Sequence, residues 1–284
     1  MLSGKDTSHH CFSSGSQSEE HFSGSRFLLF DAHCHLQDER LTNVVDLALE
    51  RARKKNVVSM MCCGCQENDW EKVRDLSAKD GVAASFGLHP WYVMQRTPKW
   101  FDTLRKFLDS VPSAGLGEIG LDSAINDSDQ HAQEEVFIRQ LRLARELSRP
   151  VSIHCRKAFG RMMDLLEKEG GVGQGGLVHS YSGSAELVSD LERLGLYLSF
   201  SGAITRPKNK RARAVVSAVS PDRLLIETDS PDMPPVGVPT GAHNEPAYLP
   251  IVLETVAKLR GCSLMETAKL TRNNAQRLFM KRLS

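Results

Sequence analysis

The sequence predicts a closed (βα)8 barrel, and three observations support that fold class. Eight short apolar runs alternate with longer amphipathic stretches, which is typical of parallel strands joined by right-handed helical crossovers. The length of 284 residues suits one such barrel. Side chains of metal-ligand type follow at the ends of six of the eight runs, and strand ends are where (βα)8 enzymes build their active sites.

The strand predictions rest on apolar runs that stop at a glycine, a proline or a polar residue. The first begins with Phe27-Leu28-Leu29-Phe30, the second is closed by Gly64, and the third is stopped by Pro90. The predicted strands are 27–36, 57–63, 82–89, 113–122, 150–154, 176–179, 196–200 and 223–227.

The stretches between them carry apolar residues at helical spacing. The predicted helices are 41–55, 69–78, 100–108, 130–147, one that ends at 168, 185–194, 208–219, 249–259 and 264–278. An open doubly wound sheet is the competing fold. It would be favoured by a G-x-G-x-x-G phosphate loop after the first strand, and the sequence has none there.

Composition sets limits on function. Hydrophobic residues make up 40% and charged residues 25% of the chain, and the formal net charge is +1. The chain therefore lacks a large basic field for holding long nucleic acid non-specifically, and it has no apolar run of membrane-spanning length. Its seven cysteines indicate reduced thiols and a cytoplasmic location, with the nucleus as a further one. No obligate protein partner is indicated.

The first 26 residues differ from the rest of the chain. They are rich in Ser, Gly and His and have no periodic apolar pattern, so residues 1–26 are predicted to be a disordered tail. The barrel is predicted to occupy residues 27–284 as a single domain.

A histidine pair ends the first strand, in the segment Asp31-Ala32-His33-Cys34-His35. Residues two apart in a strand point to the same face, so His33 and His35 should face one space. Neutral imidazole suits zinc, manganese or iron. Two ligands cannot complete a metal site, so other strands must supply the remaining ones.

The ends of later strands carry further residues of ligand type: His89, Glu118, Asp122, His154, Arg156, His179 and Asp229. Four histidines and two carboxylates from this set would already exceed the needs of one tetrahedral zinc. We therefore predict two divalent ions, of Mg, Mn, Co or Zn, with Glu118 as the bridge. Two ions together activate a hydroxide and clamp the oxygens of a displacement. Asp229 is predicted to bind a metal and accept the proton of the water, which indicates hydrolysis.

Several motifs together resemble those of the TatD-type metal-dependent deoxyribonucleases of the amidohydrolase superfamily. They are Asp31-Ala32-His33-Cys34-His35, Gly87-Leu88-His89-Pro90, Gly117-Glu118-Ile119-Gly120-Leu121-Asp122, Ile153-His154-Cys155-Arg156, His179-Ser180-Tyr181-Ser182-Gly183, Glu227-Thr228-Asp229-Ser230-Pro231 and Asn244-Glu245-Pro246. The resemblance runs from about residue 27 to the last helix. It implies a TIM barrel that binds two divalent cations and cleaves DNA, often from the 3′ end.

The resemblance also implies how the ligands divide. One metal would be held by His33, His35, Glu118 and Asp229. The other would be held by Glu118, His154 and His179. Ser123 and His243 depart from the usual pattern of the family, and these departures concern substrate preference rather than the metal ligands.

Three further residues are candidates for substrate binding, each with an alternative role. His89 would face a substrate phosphate or brace the barrel mouth. Arg156 would bind phosphate bidentately or pair with an acidic loop residue. Asn244 would help to close the site or cap the following helix. The basic run 206–213 would contact nucleic acid or form a solvated helix face.

The sequence therefore predicts a metal-dependent hydrolase of DNA phosphodiester bonds, with Asp229 and Glu118 as catalytic residues. It is expected to act as a 3′–5′ exodeoxyribonuclease on single-stranded DNA ends. The alternative is a barrel amidohydrolase acting on a small amide, lactone or phosphoester. Many such enzymes bridge their metals with a modified lysine from strand four, and the fourth run has Glu118 and no lysine.

Overall fold

The computed structural model describes residues 27–125, 129–239 and 241–280. Within these residues, eight parallel strands form one sheet in which each strand pairs with the next. The strands are β1 (Leu29–Cys34), β2 (Val57–Cys63), β3 (Val82–Phe86), β4 (Gly115–Asp122), β5 (Val151–Arg156), β6 (Gly176–Val178), β7 (Leu196–Phe200) and β8 (Leu224–Ile226). The predicted disordered tail, 1–26, lies outside the described residues.

Helices separate the strands as predicted. They are α1 (Val45–Lys54), α2 (Trp70–Leu76), α3 (Trp100–Ser110), α4 (Gln130–Glu146), α5 (Phe159–Lys168), α6 (Val188–Arg193), α7 (Lys210–Ala218), α8 (Leu249–Arg260) and α9 (Leu264–Phe279). In the described part of the chain, none of them is long and apolar enough to cross a bilayer.

Hydrogen bonds just beyond the strand ends bring the first and last strands together. The amide of His35 donates to the carbonyl of Ser230 at 2.7 Å, and the amide of Asp229 donates to the carbonyl of His33 at 3.0 Å. These bonds satisfy backbone groups that an open sheet edge would leave exposed. The predicted (βα)8 barrel is confirmed.

The two ends of the barrel interior differ in chemistry. Toward the N-terminal ends of the strands the interior is apolar, and Phe30 stacks on Phe279 with ring centroids 5.8 Å apart. Helix α9 covers this end, where Asn274 donates to the backbone carbonyl of Leu224 at 2.9 Å. The C-terminal end, here called the mouth, holds the buried polar residues. The apolar end stabilises the barrel, and the mouth is left for chemistry.

The third strand ends earlier than predicted, at Phe86 rather than at residue 89. Leu88 leaves the strand ladder because its amide and its carbonyl both bond to the side chain of Gln140 in α4, at 2.7 and 3.1 Å. Pro90 then begins a 3-10 helix, Pro90–Gln95. His89 therefore lies at the start of this helix rather than at the end of a strand.

Candidate metal centre

One half of the centre is built at the ends of β1 and β8, and we call it the β1/β8 half. Nε2 of His33 lies 3.2 Å from Nε2 of His35, and both atoms lie 3.4 Å from Oε2 of Glu118. Oδ1 of Asp229 lies 3.8 and 3.5 Å from the same two nitrogens. The alternation of β1 aims the two histidines into one space, as predicted.

The other half is built at the ends of β5 and β6, and we call it the β5/β6 half. Nδ1 of His154 lies 3.1 Å from Nε2 of His179 and 3.1 Å from Oε1 of Glu118. Oε1 of Glu118 is also 2.8 Å from Nε2 of His179. Gly120 permits this arrangement, because a Cβ on its backbone (φ 144°) would clash with the carbonyl of His154.

Glu118 joins the two halves. Its Oε2 faces His33 and His35, and its Oε1 faces His154 and His179. The carboxylate is 2% exposed, and a buried carboxylate requires a compensating positive charge. The structure thus brings together all six residues that the sequence predicted as metal ligands.

Hydrogen bonds on the outer side of two histidines determine which ring nitrogen carries the proton and which one points an unprotonated lone pair at the centre. Nδ1 of His35 lies 2.8 Å from the carbonyl of Cys63, which can only accept, so Nδ1 carries the proton. Nε2 of His154 lies 3.1 Å from the carboxylate of Asp122 and carries the proton for the same reason. Their other nitrogens then point lone pairs at Glu118, an arrangement that a proton or a metal ion must neutralise. The donor set fits divalent cations bound by nitrogen and oxygen.

The pKa shifts in the cluster reflect the same demand for positive charge. Burial would raise the pKa of Glu118, but His179 and other histidines lower it well below its usual range. Burial would lower the pKa of His179, but Glu118 and other carboxylates raise it well above its usual range. Cations that enter the centre must therefore displace protons.

His89 points into the β5/β6 half, but its hydrogen bonding differs from that of a metal ligand. Its Nε2 lies 3.3 Å from Oε1 of Glu118, and three ligand atoms of His89, Glu118 and His154 lie within 4.8 Å of one another. However, its Nδ1 accepts a hydrogen bond from the amide of Trp91 at 3.1 Å. The neutral ring must therefore carry its proton on Nε2, and burial lowers the pKa of His89 to about 4. His89 is a neutral hydrogen-bond donor aimed at the centre.

Asp229 is held by a network behind the metal cluster. The residue adopts the left-handed region (φ 56°), which Asp tolerates better than most residues. Preceding it, Thr228 donates from its amide and its hydroxyl to the buried carboxylate of Asp31. These bonds fix the turn that directs Asp229 toward the two β1 histidines.

Asn244 has a different role from the predicted substrate contact or helix cap. Its side chain is fully buried and donates to the carbonyls of Thr228 and Asp232, both at 2.7 Å. Its Oδ1 accepts from the amide of Glu245. With every polar atom already bonded, Asn244 cannot contact substrate directly; it positions the loop that carries Asp229.

Cations line part of the mouth. Arg156 ends β5, is exposed, and has no ion pair within the described residues, so the predicted loop salt bridge does not form there. In the basic run, Arg206, Lys208, Lys210 and Arg211 are exposed and are likewise without ion pairs in the part of the chain that the structure describes. This run follows β7, next to the loop after Asp229, where the amide of Val236 donates to Oγ1 of Thr205.

The sequence placed Asp122 only among the residues of ligand type at the strand ends and gave Ser152 and Glu227 no role, yet all three lie behind the histidines. Asp122 accepts from His154, and its Oδ2 also accepts from the indole of Trp91 at 2.7 Å. Oγ of Ser152 lies 2.8 Å from Nδ1 of His33, and Oε1 of Glu227 lies 3.5 Å from Nδ1 of His179. Spacing provides one usable signal, because Asp122 lies four residues after Glu118 and therefore on the same face of β4.

Known proteins resemble this chain in sequence and in fold. The sequence profile described as "TatD related DNase" matches residues 30–280. A protein of Bacillus subtilis strain 168 named uncharacterized metal-dependent hydrolase YabD is 33% identical over 253 residues, which cover 89% of this chain and 99% of that protein. The 3′-5′ ssDNA/RNA exonuclease TatD of Erwinia tasmaniensis is 31% identical over 257 residues, which cover 88% and 99%.

A solved structure supports the same relationship. The crystal structure of YJJV, a TatD homolog from Escherichia coli K12, superposes with a TM-score of 0.84 at 28% identity and covers 89% of this chain and 98% of that chain. The prediction of a metal-dependent hydrolase acting on ester bonds is confirmed at the level of the family. The chain belongs to the family of TatD-related DNases.

Proposed function

We propose that this protein is a divalent-metal-dependent nuclease that removes nucleotides from the 3′ ends of single-stranded DNA. The position of Glu118 carries the proposal, since each of its oxygens faces a separate pair of histidines. This arrangement suits two ions that share one carboxylate, with His33, His35 and Asp229 completing one site and His154 and His179 the other.

Two bound ions would polarise a phosphoryl oxygen and lower the pKa of water toward about 7. Residues of the chain would carry out the remaining catalytic roles. The carboxylate of Asp229, whose Oδ1 lies 3.5 Å from Nε2 of His35, accepts the proton of the attacking water. His89, neutral with its proton on Nε2, donates to a phosphoryl oxygen, where negative charge develops during the reaction.

Charge at the mouth favours a nucleic acid over a small neutral substrate. The guanidinium of Arg156 is exposed and matches phosphate in its bidentate geometry. The basic run 206–213 adds further cations on the side of β7, suited to the phosphates of a strand that leaves the centre. The name of the Erwinia tasmaniensis relative, a 3′-5′ ssDNA/RNA exonuclease, agrees with this polarity. A cytoplasmic location remains a prediction.

The test is digestion of single-stranded DNA labelled at the 3′ or the 5′ end, with Mg²⁺, Mn²⁺ or chelator. We expect ladder-wise loss from the 3′ end that chelator abolishes. Asp229→Asn should reduce the rate by at least about 100-fold, because the amide cannot accept the proton. Arg156→Gln should weaken binding, and Lys55→Gln, which lies at the opposite end of the barrel, should change nothing.

Intact DNA in every metal, from protein shown to hold two ions, would overturn the nuclease proposal. The proposed metal centre would be retained, and a small amide, lactone or phosphoester would become the candidate substrate. Retained cleavage in chelator would contradict the metal-dependent mechanism itself.

A further inference from the structure

Among the residues that the structure describes, Trp91 is a largely exposed aromatic side chain beside the metal centre. The sequence has three tryptophans, and Trp70 and Trp100 are 0% and 3% exposed. Trp91 is 52% exposed, although it follows directly on the buried segment that ends in His89 and Pro90. A large apolar ring left open to water beside a reaction centre is a candidate binding surface.

The indole of Trp91 is held in place from two directions. Its Nε1 donates to Oδ2 of Asp122 at 2.7 Å, and its ring packs at right angles to His89 with centroids 5.2 Å apart. The Trp91 amide also donates to Nδ1 of His89. The ring is thus already oriented, so the Trp91 side chain loses little conformational entropy when a ligand stacks on it.

The ring is also within one nucleotide of the reaction centre. Its centroid lies 6.4 Å from that of His154, and Asp122 bonds to both residues. A phosphodiester held between His89 and His154 would leave its attached nucleoside beside the indole. Base–aromatic stacking suits this position because every nucleobase has a flat π face.

We propose that Trp91 forms a nucleobase subsite, on which the base of the terminal nucleotide stacks while its phosphodiester lies at the metal centre. This proposal rests on the proposed nuclease function. It adds a requirement that the metals alone do not impose, namely that the cleaved end carries a base. An abasic end presents the same phosphate and sugar without a partner for the ring.

Two variants separate stacking from the hydrogen bond to Asp122. Trp91→Phe keeps a stacking ring and loses the indole N–H, whereas Trp91→Leu loses both. Each would be assayed on a single-stranded oligonucleotide with a normal or an abasic terminal nucleotide. Met94→Ala is the matched control, because Met94 lies in the same 3-10 helix and is 65% exposed.

We expect the wild type to prefer the normal end by about tenfold in kcat/KM, the effect of one stacked base. Trp91→Leu should abolish this preference by raising KM for the normal end. Trp91→Phe should retain most of it, and Met94→Ala all of it. An equal loss on both substrates in Trp91→Leu would overturn the proposal, because Trp91 would then act only through Asp122.

Fluorescence gives a readout that does not depend on cleavage. Since Trp70 and Trp100 are buried, quenching by acrylamide reports mainly on Trp91. In metal-loaded Asp229→Asn protein, the normal oligonucleotide should protect Trp91 and the abasic one should not. If the wild type cuts no DNA, the nuclease proposal fails; if the normal oligonucleotide gives no protection, the subsite proposal fails.

Discussion

The two halves of the metal centre are supported by groups of different charge. In the β1/β8 half, the outer nitrogens of His33 and His35 face a serine hydroxyl and a backbone carbonyl, both neutral. In the β5/β6 half, the outer nitrogens of His154 and His179 face the carboxylates of Asp122 and Glu227. The two halves also differ in their carboxylates. Oδ1 of Asp229 lies 3.5 Å from Nε2 of His35 in the β1/β8 half, but it approaches the β5/β6 half only at the outer nitrogen of His179, at 3.9 Å.

Both halves therefore receive negative charge, but by two different routes. One half receives it directly, from a ligand. The other half receives negative charge indirectly, because a carboxylate next to the outer nitrogen of the histidine makes that histidine a more basic ligand. The ion of the β5/β6 half should accordingly depend more on residues that never touch it.

Replacement of the shared residue, Glu118→Gln, should have the largest effect. The amide has no charge and only one oxygen, so one ion would lose a ligand and the other would keep only a neutral oxygen. We expect bound metal to fall below one ion per chain and turnover to drop by more than about 1000-fold. Metal analysis after dialysis, with circular dichroism as a folding control, checks this. Two retained ions would show that Glu118 is not the bridge.

Asp122→Asn should weaken the β5/β6 half alone. The amide preserves the size of the side chain but removes the charge opposite Nε2 of His154. We expect metal affinity in that half to fall by about 10- to 100-fold, with the other half unchanged. Calorimetric titration of metal-free protein would resolve the two events. Equal weakening of both events would contradict the proposed division of the centre.

Ser152→Ala is the matched change in the β1/β8 half and should have a smaller effect. It removes a neutral hydrogen-bond partner of His33, at a cost of about 1 kcal/mol, or less than about tenfold in affinity. The same titration measures it. An effect as large as that of Asp122→Asn would show that charge does not distinguish the two halves.

The smallest expected effect concerns Asp31, which lies behind the centre and influences the pH dependence of stability. Its carboxylate accepts hydrogen bonds from Thr228 and from the backbone amide of His33, and burial raises its pKa to about 7. Between about pH 4 and pH 7 the native state keeps this proton and the unfolded chain releases it. The free energy of unfolding should therefore fall as pH rises through this window, by at most about 1.4 kcal/mol per pH unit for one proton.

Asp31→Asn should flatten that slope, because the amide does not titrate. Urea unfolding in chelator at a series of pH values measures it, with Asp46→Asn, an exposed carboxylate, as the control. An unchanged slope would show that Asp31 is already ionised in the native protein at low pH.

The sequence by itself determined the fold class and predicted the six residues that the structure brings together at the mouth. Parallel strands place their C-terminal ends at one edge, and alternation along β1 puts His33 and His35 on one face. Both rules are local or topological, so they hold before any side chain is packed. Strand boundaries were less certain, as β3 shows, because a side chain of α4 takes the backbone bonds of Leu88.

The tertiary structure alone decided the roles of the residues around the centre. Asn244 is buried behind the Asp229 loop, and Trp91 lies open beside Asp122. These outcomes depend on contacts between residues far apart in the sequence, such as Asp31 with Thr228. Strand periodicity determines which way a side chain points, but only packing determines which polar group meets it, and that partner sets the charge and tautomer of each histidine.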